Sequence, residues 1–239
     1  MNKITLENIE PLDFRTQESY KTLRSNIGFC GTNIQTIALT STVPNEGKSN
    51  VALHLAISMA EAGYKVCFID ADMRKSVIVG KYRVGQVKEG LTNFLSGQED
   101  WEDCLCETEY DNLNMVFAGP VPPNPCELLG SVVFSNKLEE LKKEYDYIII
   151  DTPPLGSVID SAVIAAVCDG AVIVIEQDRI SARQIKKTRD QLEKSGCRLL
   201  GAVLNKVNTT QGAYGKYYGN YYGYYGGDYY GKDGVKESK

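Results

Sequence analysis

Residues 34–49, with the sequence IQTIALTSTVPNEGKS, decide the fold of this chain. The apolar run at 34–41 predicts a buried strand, and turn residues lead from it into a helix from Lys48 to Ala62, which Gly63 terminates. The helix begins at Gly-Lys-Ser, the last part of the phosphate-binding loop (P-loop) pattern GxxxxGK[ST]. A strand, such a loop and a helix in this order predict a site for a nucleoside triphosphate at the helix N-terminus.

The loop departs from the usual pattern at one position. Thr42 stands where the pattern has its first glycine, so the loop has to accommodate a side chain there, and Pro44 helps to fix its shape. A GK[ST] triplet alone is a weak signal, since it arises by chance in on the order of one chain in ten. Its position between a buried strand and a helix is what makes it informative.

Short apolar segments alternate with helical ones along the rest of the chain. Strands are predicted at 65–70, 113–118, 146–151, 170–175 and 198–205, and helices at 16–29, 125–144, 158–168 and 181–195. Apolar strands separated by helices are typical of a mostly parallel sheet with helices on both faces. The predicted fold class is therefore α/β, a doubly wound P-loop NTPase sheet flanked by helices. Ligands in such folds bind at the carboxyl ends of the strands.

Two other predicted strands end in carboxylates. The strand at 65–70 ends at Asp70 and continues through Asp72 to Arg74, and the strand at 146–151 ends at Asp151. A single strand-terminal aspartate often only shapes a turn. Three of them beside a phosphate-binding loop predict an apparatus for magnesium and phosphoryl transfer, with Asp151 as the Walker B acid. Asn205 ends the last strand, where it either hydrogen-bonds a base or closes a turn.

The C-terminal segment has a different composition. Nine of the seventeen residues from Tyr214 to Tyr230 are tyrosines and five are glycines, which leaves no apolar period. We expect a disordered tail offering phenolic hydroxyl groups that an enzyme could phosphorylate. The predicted acceptors are Tyr214, Tyr217, Tyr218, Tyr221, Tyr222, Tyr224, Tyr225, Tyr229 and Tyr230. The predicted organisation is an N-terminal helical segment at 1–33, a P-loop domain at 34–208 and the tail at 209–239.

Composition excludes several classes of function. The net charge of −5, with basic and acidic residues well mixed, argues against a nucleic-acid partner. The N-terminus has no signal-peptide pattern, and no apolar run approaches the ~20 residues of a membrane span. The seven cysteines form no CxxC pair, which favours buried thiols over disulfides or zinc. We therefore expect a cytoplasmic protein.

The helix at 16–29 carries a charged face. Glu18, Lys21 and Arg24 follow one another at three-residue spacing, opposite a face formed by Tyr20, Leu23 and Ile27. On spacing alone, a solvated and self-paired helix face is the preferred interpretation.

Several motifs together resemble the bacterial tyrosine kinases. These are residues 41–49, 70–75 and 150–154, which are similar to their Walker A, A′ and B motifs, the segment 119–125, the segment 18–24 and the tyrosine cluster. The resemblance covers nearly the whole chain and is closest to the cytoplasmic kinase subunits of Gram-positive capsule and exopolysaccharide systems. Two positions differ from the family: Lys21 replaces an arginine of its ExxRxxR oligomerisation motif, and Ser76 stands where many members have proline nearby.

The resemblance implies an ATP-dependent, magnesium-dependent autokinase and a role for each site residue. Lys48, Asp70, Asp72, Arg74 and Asp151 are the implied catalytic residues, and Ser49, Asp72 and Asp151 the implied magnesium ligands. The nucleotide-binding set is Asn45, Glu46, Gly47, Lys48, Ser49, Asn50 and Asn205. Asp70 would approach the tyrosine hydroxyl, and Glu18, Lys21 and Arg24 would mediate assembly into a ring.

The resemblance also implies partners. These are a transmembrane polysaccharide co-polymerase that recruits the kinase to the inner face of the membrane, and a cognate tyrosine phosphatase. Two other interpretations share the P-loop. A positioning or partitioning ATPase would carry a lysine five residues before Lys48, where this chain has Val43. A non-catalytic nucleotide-dependent scaffold would use the aromatic tail for stacking.

Overall fold

A computed structural model describes residues 2–85 and 87–208. Within them, eight strands form one sheet in the order β1-β4-β5-β3-β6-β2-β7-β8. The strands are β1 (Asn2–Lys3), β2 (Thr36–Ser41), β3 (Val66–Asp70), β4 (Leu105–Glu107), β5 (Leu113–Val116), β6 (Tyr147–Asp151), β7 (Gly170–Glu176) and β8 (Leu199–Asn205). Every neighbouring pair is parallel except β4 and β5, which are antiparallel. The predicted fold class is confirmed.

Helices cover both faces of the sheet. They are α1 (Phe14–Phe29), α2 (Lys48–Glu61), α3 (Ile78–Lys81), α4 (Leu91–Leu95), α5 (Trp101–Cys104), α6 (Pro125–Leu129), α7 (Val132–Leu141), α8 (Asp160–Ala165) and α9 (Ala182–Lys194). One apolar cluster holds residues of α7, α8 and α9, and the other holds α2 and Ile27 of α1. The described residues up to Asn205 form one compact unit, in which α1 packs against α2.

The order of the strands brings the predicted site together. The central strands β3, β6 and β2 are adjacent, and Asp70 at the end of β3 is in register with Asp151 at the end of β6. The phosphate-binding loop follows β2 directly, so all three chain segments emerge at one edge of the sheet. The aliphatic side chains of these strands are buried, which fixes the register of the polar residues that follow them.

Two parts of the sequence-based assignment are wrong. The single helix predicted at 125–144 is two helices, because Gly130 ends α6 and Ser131 caps α7 by accepting a hydrogen bond from Phe134 N. The stretch at 71–112, for which no element was predicted, contains α3, α4, α5 and β4. These elements have three to five residues each, too short for a periodic pattern. The other predicted elements are present, with ends that differ by at most two residues, except that α8 ends three residues earlier than predicted.

The search for membrane-spanning segments is negative for the described residues: none of their helices has the length and apolar character to cross a bilayer. All seven cysteines are free thiols.

Candidate active site

The phosphate-binding loop ends at the N-terminus of α2. Gly47 caps the helix with φ 90°, a left-handed conformation that glycine adopts without strain, and its cap is not closed by a side chain. Asn45 also has positive φ, 67°. The first amides of a 14-residue helix therefore lack side-chain acceptors at the loop, and they form a site where phosphate oxygens can accept their hydrogen bonds.

Glu46 holds the loop in this shape from inside. Its side chain is completely buried, and Oε2 accepts hydrogen bonds from Thr42 N and Val43 N, both at 2.8 Å. Oε1 accepts a third from Glu176 N at 3.2 Å, at the end of β7. Sequence analysis assigned Glu46 to nucleotide binding, but its carboxylate accepts hydrogen bonds from backbone N–H groups of the loop itself. Two amides at the start of the loop are occupied by it, so phosphates must rely on those nearer Lys48.

Thr42 of the loop packs against both α9 and the segment that follows β6. Its Oγ1 lies 3.0 Å from Thr188 Oγ1 of α9, so the threonine that replaces the pattern's first glycine has a buried partner. Gly156 sits directly against Thr42 O, where a Cβ atom at position 156 would collide with that oxygen. The position therefore requires glycine because of the close approach of the two backbones.

Lys48 reaches back to the acidic strand ends. Its Nζ donates to Asp151 Oδ1 at 2.7 Å and to Ser49 Oγ at 3.2 Å, and it lies 3.9 Å from Asp72 Oδ2. Lys48, Asp72 and Asp151 are all buried. Four of the residues that sequence analysis grouped as catalytic, including Asp70, are therefore brought together by the fold.

Asp70 is the most enclosed member of the group. Its Oδ1 accepts a hydrogen bond from Asp72 N at 3.2 Å, and Oδ2 accepts one from the Ser76 hydroxyl. Burial, together with the neighbouring charge of Asp151, raises the pKa of Asp70 to about 7, although Ser76 and Lys48 act in the opposite direction. Ser76, which sequence analysis singled out as a departure from the family, thus has a hydrogen-bond partner within the site.

The site has more negative than positive charge. Burial is the main reason that the pKa of Asp151 is raised, and it outweighs the opposing effect of Lys48. Asp151 Oδ2 is buried and has no hydrogen-bond partner among the described residues. An unsatisfied carboxylate oxygen in such a place is costly, and a cation would compensate for it. Within the part of the chain that the structure describes, no three His, Cys, Asp or Glu side chains converge into a complete metal cage. Magnesium fits this arrangement because it usually takes one or two carboxylates together with phosphates and water.

Comparison with known proteins agrees with this geometry. A family model described as an AAA domain matches residues 34–195. The tyrosine-protein kinase CpsD of Streptococcus agalactiae is 45% identical over 203 residues, which cover 85% of this chain and 89% of that protein. The tyrosine-protein kinase YwqD of Bacillus subtilis is 34% identical over 221 residues, 92% of each. The chain belongs to the bacterial tyrosine-protein kinase family.

Solved structures support the same assignment. The crystal structure of the chimerical protein CapA2B2 is similar with a TM-score of 0.78 and 32% identity, covering 87% of this chain and 94% of that one. Family membership, with Val43 in place of a signature lysine, decides against the positioning ATPase that sequence analysis left open.

Sequence analysis missed one residue at the site of this kinase. Arg74 Nε donates to Asp160 Oδ2 at 2.7 Å and Nη2 donates to Oδ1 at 3.0 Å, so the two side chains form a bidentate ion pair. Asp160 is the first residue of α8 and is fully buried. The only sequence signal was an acidic residue nine positions after Asp151, at a predicted helix start, where it resembles an ordinary capping residue.

Two asparagines of the predicted nucleotide site have partners inside the protein. Asn50 Oδ1 accepts hydrogen bonds from Lys81 Nζ and Tyr82 Oη, both at 2.8 Å. Asn205 Nδ2 donates to Glu46 O at 2.9 Å and ties the end of β8 to the phosphate-binding loop. Nucleotide contacts by both residues stay predictions.

The predicted oligomerisation residues also have contacts within the chain. Lys21 Nζ pairs with Glu18 Oε1 at 2.7 Å, and Arg24 Nη1 donates to Ser58 O and, at 3.2 Å, to Ser58 Oγ on α2. Glu18 and Lys21 are thus self-paired, and Arg24 fastens α1 to α2. The assembly role of this face stays a prediction. The nine predicted acceptor tyrosines lie outside the described residues.

Replacing Glu46 tests its function in the loop. Glu46→Gln removes one acceptor oxygen and places an amide group among three N–H donors. We expect a loss of about 1–3 kcal/mol in the free energy of unfolding and weaker ATP binding, measured by urea denaturation and calorimetry. Glu140→Gln is the control, because the exposed Glu140 pairs with Lys137 at the surface and its replacement should leave stability and ATP affinity like those of the parent. Parent-like stability and affinity in Glu46→Gln would contradict this role.

Asp70 makes stability depend on pH with a defined sign. Because its folded-state pKa is raised to about 7, the folded protein retains a proton that the unfolded chain loses above pH ~4, so stability falls as pH rises from about 4 to about 7. Asp70→Asn removes this effect. Relative to the parent, the variant should gain at least ~1 kcal/mol in unfolding free energy between pH 5 and pH 8.

Asp169→Asn is the matched control. Burial alone would raise the pKa of Asp169, but hydrogen bonds from Thr36, Gln35 and Lys142 outweigh it, so the pKa is lowered. Both states are then ionised at pH 5 and pH 8, and the control should lose equal stability at both. If Asp70→Asn changed the free energy of unfolding equally at pH 5 and pH 8, the raised pKa of Asp70 would be contradicted.

Proposed function

We propose that this chain is an ATP-dependent and magnesium-dependent protein-tyrosine autokinase that phosphorylates its own C-terminal tyrosines, between subunits. Protein-tyrosine kinase activity is the function of the family to which the chain belongs. The observation that carries the proposal is the buried contact of Lys48 with Asp151 beside Asp70 and Asp72. These groups surround the N-terminus of α2, where phosphates would bind.

Each group of the site has a role in nucleotide binding. Lys48 now neutralises Asp151, and on binding it would turn its ammonium group toward the terminal phosphates. The amides of Gly47, Lys48 and Ser49 would donate to phosphate oxygens at the start of α2. Asn205, already against the loop backbone, would contact the base from the end of β8.

Magnesium would be held by Ser49, Asp72 and Asp151, partly through water. When bound, the ion neutralises charge on the phosphoryl oxygens during transfer. Release of Lys48 from Asp151 exposes the carboxylate oxygen that it holds, and Asp151 Oδ2 already lacks a partner among the described residues. The protein thus exchanges one cation contact for another, which limits the free energy needed to rearrange the site.

Asp70 would receive the proton of the acceptor hydroxyl. A tyrosine hydroxyl has a pKa near ~10 and an ordinary aspartate near ~3.9, a poor match for proton transfer before the reaction. The pKa of about 7 at Asp70 narrows this difference. Since phosphoryl transfer is loose, Asp70 need only orient the hydroxyl and accept the proton late.

The tail supplies the substrate. The segment with nine tyrosines begins at Tyr214, shortly after β8 ends at Asn205 beside the phosphate-binding loop. Several acceptors on one tether raise the local concentration of tyrosine, which compensates for weak sequence recognition. Added phosphates of about −1.5 to −2 charge each would repel one another. We propose a cycle in which unphosphorylated tails favour a homo-oligomeric ring and phosphorylated tails release it.

The proposal extends to cellular context through the resemblance of the motifs. The kinase would act in the cytoplasm, at the inner face of the membrane, with a transmembrane polysaccharide co-polymerase as adaptor. A cognate tyrosine phosphatase would reverse its modification. The regulated process would be capsule or exopolysaccharide biosynthesis and export.

A mixing experiment tests activity and its direction. One full-length variant carries Lys48→Met, and another retains Lys48 but has phenylalanine at all nine tail tyrosines. Neither can phosphorylate its own tail, because the first lacks the phosphate-binding lysine and the second lacks acceptors. We expect phosphotyrosine on the Lys48→Met chain when the two are mixed with ATP and magnesium, read by blotting and mass spectrometry.

Each variant alone with ATP and magnesium is the control and should show no tail phosphotyrosine. No transfer in the mixture, with a phosphorylated tail in the parent, would indicate reaction within one chain. No phosphotyrosine in the parent would contradict the kinase proposal itself.

A further inference from the structure

Arg74 and Asp160 form the most specific ion pair near the site. The guanidinium presents its Nε and Nη2 edge to both carboxylate oxygens, at 2.7 and 3.0 Å. The Asp160 side chain is 1% exposed and the Arg74 side chain is 42% exposed. The pair therefore has a fixed, buried end and an open end.

Asp160 is anchored to the same backbone that supports the phosphate-binding loop. Its neighbour Ser161 donates a hydrogen bond to Pro153 O, just after Asp151. Between them, Leu155 N donates to Ser41 O at 2.8 Å, and Gly156 lies against Thr42 O. Displacement of Asp160 would require displacement of the segment that follows β6. This carboxylate is thus a rigid reference point.

Arg74 keeps donors for another partner. A guanidinium has five N–H groups, and the contact with Asp160 uses one on Nε and one on Nη2. Among the described residues, Arg74 forms no other hydrogen bond. Hydrogen bonding to Asp160 raises the pKa of Arg74, and the charges of Asp160 and Asp72 contribute in the same direction, so the guanidinium stays charged.

The pair is not explained by stability alone. Burying a carboxylate carries a desolvation cost that an ion pair often fails to recover, and apolar replacements of such pairs are frequently neutral or stabilising. Here one partner is half in solvent, which further limits the gain. A fixed guanidinium with open donors, two residues from Asp72, is suited to recognising phosphate oxygens.

We propose that Asp160 is a positioning residue of the kinase: it holds the Arg74 guanidinium so that its open donors face the terminal phosphate of ATP. The expected effect on kcat rests on the proposed kinase function. The expected effect on binding of the terminal phosphate requires only that ATP binds at this site. Arg74 would contact the phosphate, and Asp160 would act only through Arg74. Loss of either residue should therefore have the same consequence.

The test is a double-mutant cycle with Arg74→Ala, Asp160→Asn and the double variant, each acting on a full-length Lys48→Met chain as acceptor. Asp160→Asn should lower kcat on the order of tenfold to a hundredfold, with a change in KM for ATP below about threefold. The double variant should be no worse than Arg74→Ala, because the aspartate has no function without the arginine. Asp160→Glu, which restores the carboxylate, should recover part of the rate.

A binding measurement keeps the test independent of turnover. Calorimetry with ADP and with a non-hydrolysable ATP analogue gives the preference of each variant for the third phosphate. Arg74→Ala, Asp160→Asn and the double variant should lose this preference equally. Asp169→Asn, which removes a half-buried carboxylate from its contacts with Thr36 and Lys142 elsewhere in the fold, should retain this preference and the parent kcat in its folded fraction.

Three results would overturn the proposal. The first is an Asp160→Asn variant that keeps the parent kcat and the parent preference for the third phosphate. The second is a double variant whose loss of kcat equals the product of the two single losses, and the third is a loss of kcat in Asp169→Asn as large as that in Asp160→Asn. The last would indicate a general effect of stability. If the parent binds the ATP analogue but phosphorylates no tyrosine, the kinase proposal fails, while the binding cycle still decides the role of Asp160.

Discussion

The site depends on one constraint: three buried carboxylates face a single buried ammonium group. Asp70 and Asp151 are placed side by side by the register of β3 with β6, and Asp72 follows within the same turn of chain. Lys48 comes from the loop after β2 and binds Asp151. The fold therefore accepts an electrostatic cost where phosphates and a cation would reduce it. Natural proteins tolerate such costs at functional sites rather than in structural cores.

The rest of the site keeps this charged group in place. Glu46 closes the loop from within, Asn205 holds it from the end of β8, and Gly156 allows the segment after β6 to press against it. Each contact is made by backbone or by a side chain that is buried or half-buried, so the geometry exists before any ligand arrives. Such preorganisation is what positioning of a phosphoryl group requires.

Sequence reasoning recovered what depends on local pattern and lost what depends on packing. The loop at 41–49, the acids at strand ends and the parallel sheet follow from spacing and apolar runs. The inward carboxylate of Glu46 could not be predicted, because its partners at Thr42, Val43 and Glu176 meet it only in three dimensions. Asp160 was missed for the same reason, since it is 86 residues from Arg74. Ser76 was recognised in the sequence as a departure from the family, but its hydrogen bond to Asp70 became visible only in the structure.

The most direct test of the account measures ATP affinity by calorimetry, with magnesium and with EDTA, for the parent and for Asp151→Asn. If the buried carboxylates help to bind magnesium together with ATP, magnesium should strengthen ATP binding to the parent by on the order of tenfold. Asp151→Asn should still bind ATP, but with little dependence on magnesium. Equal affinity of the parent with magnesium and with EDTA, or an undiminished magnesium effect in Asp151→Asn, would contradict the account.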